Sequence, residues 1–119
     1  MAELTLAYEA RTYSSGVTGR SICNARHHHW VSENPGGEAL GAGEMFCTSM
    51  SACAVNMVER IGCTENRALD GMDVSVAVYH DKDAPKGEVS IYDACRVKFE
   101  MWGVSDDDAK FLVKTWKAR

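Results

Sequence analysis

The sequence predicts an α+β domain in which two helices are segregated against an antiparallel sheet, and three observations carry this expectation. Residues 43–62 (GEMFCTSMSACAVNMVERIG) form one long, almost uncharged segment with apolar residues at helical spacing. Residues 74–78 and 89–101 alternate between apolar and other residues, as strands with one buried face do. Residues 105–119 open on Ser-Asp-Asp-Asp and close on Lys and Arg, the charge order that a helix dipole favours.

The 119 residues fit a single domain, 1–119. A domain of that size buries roughly two thirds of its extended-chain surface, so apolar packing can hold it without a metal or disulfide staple. With 13 Lys and Arg against 17 Asp and Glu, the net charge of −4 leaves no basic stripe for phosphates. Nucleic acid is therefore not an expected partner. There is no signal-peptide pattern and no apolar run long enough to cross a bilayer, so no membrane association and a cytoplasmic location are expected. Five cysteines at positions 23, 47, 53, 63 and 95, odd in number and irregular in spacing, suit free thiols in a reducing compartment.

Residues 3–13 (ELTLAYEARTY) place Leu4, Leu6 and Tyr8 on one side and are expected to form a half-buried strand, which Ser14-Ser15-Gly16 then turns. From Val17 to Val31 the β-branched and aromatic residues predict one or two further strands, with no consistently apolar face to set their register. Residues 32–41 hold Pro35, Gly36, Gly37 and Gly41 and must be a loop. In the long helix Phe46, Met50, Cys53, Met57 and Ile61 share a stripe that should be buried, and Gly62 should end the helix as a left-handed cap. Val74, Val76 and Val78, then Val89, Ile91, Cys95, Val97, Phe99 and Met101, give the apolar faces of a strand pair joined by a hairpin through 80–87. Ala109, Leu112, Val113 and Trp116 make the buried stripe of the second, amphipathic helix.

Cys53 on an apolar stripe, taken by itself, is a small core residue. The wider pattern points elsewhere. Gly36-Gly37, a Gly-rich spacer, Glu44, and Cys53 nine residues later on a helix of small residues resemble the active-site helix of the OsmC/Ohr family of thiol peroxidases. ARHHHWVSENPGG (25–37) resembles the strand and loop that precede that helix, and the strand pair followed by GVSDDDAKFLVKTW (103–116) keeps the family's order.

The resemblance implies an OsmC-like fold in an intertwined homodimer, with active sites at the interface and no bound cofactor or metal. It implies peroxiredoxin-like reduction of organic hydroperoxides, of the kind used against oxidative stress. Cys53 would be the thiolate that becomes a sulfenic acid, to be reduced again by an external thiol or dithiol. It also implies that an arginine, Arg20 or Arg26, favours the thiolate and that the helix carboxylate Glu44 holds that arginine. Two departures stand out. Ala42 occupies a position where the family usually has proline, and the family's following segment, with its second, resolving cysteine, is not contained in a sequence that ends at Arg119. The expected behaviour is that of a single-cysteine peroxidase, and the alternative is a non-catalytic OsmC-like dimer that binds a small apolar ligand.

Within one continuous helix Cys47 and Cys63 are six and ten residues from Cys53. Their rises of ~9 and ~15 Å exceed the ~7 Å reach of a disulfide. Cys23 and Cys95 could approach only through tertiary placement and are expected in the core. His27, His28 and His29 follow Cys23, but on a strand His27 and His29 would point to one side and His28 to the other, with no second ligand pair at zinc-finger spacing. Phosphate loops of the GxGxxG or GxxxxGK type and a GxSxG nucleophile elbow are absent, which leaves nucleotide chemistry and serine hydrolysis without support.

Overall fold

A computed structural model describes residues 2–83 and 92–118, and within it the chain divides into two compact units, Met1–Met45 and Phe46–Arg119. The fold is α+β, with the strands divided between two antiparallel sheets rather than joined in one. Among the described residues no helix is long and apolar enough to cross a membrane.

The first unit holds β1 (Arg11–Ser14), β2 (Arg20–Ala25) and β3 (His28–Glu33) in the order β1-β2-β3. Arg26 and His27 make a two-residue hairpin loop between β2 and β3, and Arg26 takes the positive φ, 53°, that such loops require. The register follows from that turn: Ala25 faces His28, Cys23 faces Trp30 and Arg20 faces Glu33. β1 pairs with β2 from Arg11 opposite Asn24 to Ser14 opposite Ser21.

The strand expected over 3–13 is therefore present only from Arg11 onward. Residues 2–10 have no regular structure, and Leu4, Leu6 and Tyr8 are 92, 75 and 95% exposed. The cause is the length of the partner. One step before Arg11 the opposite residue is Ala25, where β2 ends in its turn, so the alternating segment meets no β2 ladder to continue on.

α1 (Ala42–Thr64) carries the chain into the second unit, which continues with β4 (Gly71–Tyr79), β5 (Ala94–Trp102) and α2 (Asp106–Lys117). β4 and β5 run antiparallel from Gly71 opposite Trp102 to Tyr79 opposite Ala94. Their alternation is as expected, with Met72, Val74, Val76 and Val78 and then Val97, Phe99 and Met101 as the less exposed residues. Val89, Ile91 and residues 84–87 of the expected hairpin loop lie outside the described residues.

The core of this unit is Val58 and Ile61 of α1 against Leu112 of α2, closed by Leu69, Met72, Phe99, Met101, Val104, Phe111 and Trp116. It turns α1 away from the expected orientation: the buried residues are Ala54, Val58, Ile61 and Gly62, whereas Phe46 is 45% exposed and Cys53 is exposed. A helix that mixes small, polar and apolar residues around its circumference is only weakly amphipathic and offers no unique stripe, and the buried face includes the small residues Ala54 and Gly62. Gly62 illustrates this, because an added Cβ would stand 3.1 Å from the carbonyl oxygen of Arg67, in the chain returning along the helix.

Gly62 is accordingly not the cap. The helix passes through it, and the left-handed residue is Asn66 at φ 55°. The Arg67 N–H donates to the Gly62 carbonyl at 2.7 Å and the Asn66 N–H to that of Cys63 at 3.4 Å, the paired bonds of a Schellman motif. α2 starts as expected, with the Ser105 hydroxyl accepting the Asp108 N–H at 3.2 Å. Its far end docks through Trp116, edge-on to Phe99 at 5.5 Å.

Because Leu112 is fully buried, Leu112→Ala should lower the unfolding free energy by about 2–5 kcal/mol in urea titration. Ser105→Ala should cost about 0.5–2 kcal/mol through loss of the cap. A Leu112→Ala loss no larger than that of the cap variant would show that the α1–α2 contact is not the core.

Candidate functional site

The loop before α1 is built on Asn34-Pro35-Gly36-Gly37. Proline at the second position, Gly36 at φ 88° in the third, and the Gly37 N–H donating to the Asn34 carbonyl at 3.0 Å make a type II turn. The turn sends the chain back along the end of β3. There the Glu33 N–H donates to the Leu40 carbonyl at 3.1 Å, and the Ser32 hydroxyl donates to the same oxygen at 3.0 Å.

Glu33 locks this return. One carboxylate oxygen, Oε2, accepts the Ala39 N–H at 2.7 Å. The other, Oε1, accepts Arg20 Nε at 2.7 Å and lies 2.5 Å from Arg20 Nη2. The Ala39 amide, with Arg20 beside it, holds the Glu33 carboxyl below its ordinary value. The Glu33 side chain is only 11% exposed while that of Arg20 is 48% exposed, so the arginine is gripped at one edge and open at the other. Arg20 and Glu33 line an open groove of about 760 Å³ together with Tyr13, Asn34, Ala42 and Gly43, the last two at the start of α1.

Glu44 is engaged at the start of its own helix. Its Oε1 accepts the Gly41 N–H at 3.1 Å, and the Gly41 carbonyl accepts the Met45 N–H at 3.1 Å. This is the carboxylate half of a capping box, with glycine at the cap. The acidic partner of Arg20 is Glu33, which the sequence reading missed. Arg26 sits at the opposite end of β2 from Arg20, with Nη2 3.3 Å from His28 Nε2.

The histidines do not share a strand face as expected. His27 belongs to the β2–β3 turn, His28 meets Arg26, and the His29 ring bonds the Asn24 side-chain carbonyl. Among the described residues no group of three or more His, Cys, Asp or Glu is placed to hold a metal ion. Cys23 is buried opposite Trp30, whose indole N–H donates to Met45 Sδ at 3.0 Å.

In the second unit Cys53 stands exposed on α1, so it is not core filler. Cys95 is also exposed rather than packed in the core, and its Sγ lies 3.8 Å from Sδ of Met50. Beside it, the Tyr92 ring is 5.8 Å from that of Phe46 and 5.2 Å from that of His80.

A carboxyl held below its ordinary 4.5 is matched by an unfolded chain that binds more protons over the interval between the two values. Its stabilisation is present above that ordinary value and is lost as the pH falls through the folded one. Glu33→Gln should therefore flatten the dependence of the urea midpoint on pH between about 6 and 3. Equal slopes in the two proteins would show that Glu33 contributes nothing to acid sensitivity.

No protein-family model and no curated protein matches this chain. Solved structures do. An OsmC-like protein from Mycoplasma pneumoniae superposes with a TM-score of 0.84 at 9% identity, over 98% of this chain and 84% of the other. A hypothetical protein from Aquifex aeolicus gives 0.75 at 14% identity, over 94% and 80%. An organic hydroperoxide resistance protein, OsmC, from Legionella pneumophila gives 0.71 at 12% identity, over 98% and 85%. At such identities the likeness is one of backbone, and it agrees with the family that the sequence pattern resembles: the chain has the OsmC-like fold.

Proposed function

We propose that the chain is a thiol-dependent reductase of organic hydroperoxides with Cys53 as its nucleophile. The observation that carries this reading is a thiol exposed on α1 of an OsmC-like fold, on a helix whose buried face is filled by other residues. The name of the Legionella protein, a hydroperoxide resistance protein, supports the same chemistry.

In this reading the Cys53 thiolate attacks the terminal oxygen of the hydroperoxide. The O–O bond breaks, the departing alkoxide takes a proton and leaves as an alcohol, and Cys53 is left as a sulfenic acid. An external dithiol then supplies two electrons, expelling water and restoring the thiol. The family resemblance gives the charge that favours the thiolate to an arginine, and of Arg20 and Arg26 we assign it to Arg20, whose guanidinium is paired with Glu33 within the first unit. Glu44 serves the site by fixing the first turn of α1.

The working unit is a homodimer. Leu4, Leu6 and Tyr8 are exposed in the first unit and Phe46 is half-exposed in the second, and a second copy is the cover that the family resemblance implies. Obligate interfaces commonly bury more than ~2,000 Å² in total. Light scattering should give twice the chain mass of 13.1 kDa. A monomer at micromolar concentration would count against the dimer.

Treatment with one equivalent of cumene hydroperoxide in the presence of dimedone should label Cys53, and Cys53→Ser should abolish peroxide consumption while leaving the dimer intact. Undiminished consumption by Cys53→Ser would overturn the assignment. A dimer that leaves Cys53 reduced would support the alternative, a binder of small apolar ligands.

A further inference from the structure

We infer that Cys95 is the partner that captures oxidised Cys53, forming an intrachain disulfide that ties β5 to α1; this rests on the proposal that Cys53 is the thiol oxidised. The placement comes from Met50. Cys95 Sγ touches Met50 Sδ at 3.8 Å, and Cys53 is three residues beyond Met50 on α1, one turn along the same side of the helix. Side chains so spaced are neighbours, with Cβ atoms ~5–6 Å apart. The contact of Tyr92 with Phe46 holds the start of β5 on the same stripe one turn earlier.

The other cysteines are unsuited. α1 is continuous from Ala42 to Thr64, which keeps Cys47 and Cys63 at rises of ~9 and ~15 Å from Cys53. Cys23 is 4% exposed. Cys53 and Cys95 are both exposed.

Closing the bond requires Met50 to move aside and β5 to adjust. Methionine is unbranched, with three rotatable bonds, so the Met50 side chain can swing away from Cys95. Cys95 faces Val78 in the last pair but one of the β4–β5 ladder, where opening is least costly. Backbone adjustment there can bring the Cα atoms within the ~7 Å that a disulfide demands.

The step balances. The Cys95 sulfur attacks the sulfur of the Cys53 sulfenic acid, an S–S bond forms, and the S–O bond breaks. The departing hydroxide takes the Cys95 proton and leaves as water. The two electrons lost by the thiol pair are those gained by the hydroperoxide, and an external dithiol reopens the bond by exchange. The chain would then cycle as a two-cysteine enzyme, not as the single-cysteine peroxidase expected from its sequence.

The test treats the whole protein with cumene hydroperoxide in one arm and diamide in another, which couples neighbouring thiols without a peroxidatic step. Free thiols are then alkylated and peptides mapped without reduction. The expected result is a Cys53–Cys95 peptide in both arms, in protein that keeps monomer mobility on a non-reducing gel. Cys95→Ser and Cys95→Ala, each checked for an unchanged urea midpoint, should lose that peptide and accumulate dimedone-trapped sulfenate at Cys53. Equal trapping in wild type and variants, with no such peptide in either arm, overturns the inference while leaving the hydroperoxide reading standing. A cross-link that runs at dimer mobility also overturns it, since the bond would then join two chains. Coupling by diamide alone, with Cys53 untouched by hydroperoxide, supports the pair and sinks the hydroperoxide reading instead.

Discussion

Packing of Val58 and Ile61 against Leu112 sets the rotation of α1, and much of the chemistry argued for the second unit depends on that rotation. Each residue advances the helix by 100°, so a shift of a single residue separates the expected stripe from the observed one. In the observed setting Ala54 is buried and Gly62 lets the following chain come close, while Phe46, Met50 and Cys53 are left on a more open side. Tyr92 and Cys95 meet that side at Phe46 and Met50.

In the first unit the comparable constraint is a single carboxylate. Glu33 joins three separate pieces of chain: its own strand, the start of β2 through Arg20, and the returning loop through Ala39. A nearly buried carboxylate is tolerable only because charged or backbone donors reach both of its oxygens. The type II turn at 34–37 makes that possible, since it aims the Ala39 amide back at β3. Arg20 is thereby held in one orientation at the start of β2.

Much of this was legible in the residues because it rests on local rules. Ser105 with three aspartates behind it marks the start of α2 unambiguously, and alternation in 72–78 and 97–101 marks the two strands. What was not legible depends on partners. Alternation in residues 3–13 says that a strand face could be buried, but not that β2 is long enough to pair with it. The Arg20–Glu33 pair follows at once from a two-residue loop at Arg26-His27, yet that dipeptide lacks the Asn-Gly or Asp-Gly signature by which such loops are recognised. Glu44 stands three residues after Gly41, the spacing of a capping box, but glycine in place of serine or threonine at the cap hides it. Cys95 carried no local signal, because only tertiary structure sets it against Met50.

Whether α1 turns Cys53 outward is decided most directly by the order in which the native thiols react with a neutral alkylating agent. A time course of iodoacetamide labelling with peptide mapping should find Cys53 modified in the folded protein while Cys23, buried on β2, stays protected. Protection of Cys53 until denaturant unfolds the chain would contradict the outward setting of α1.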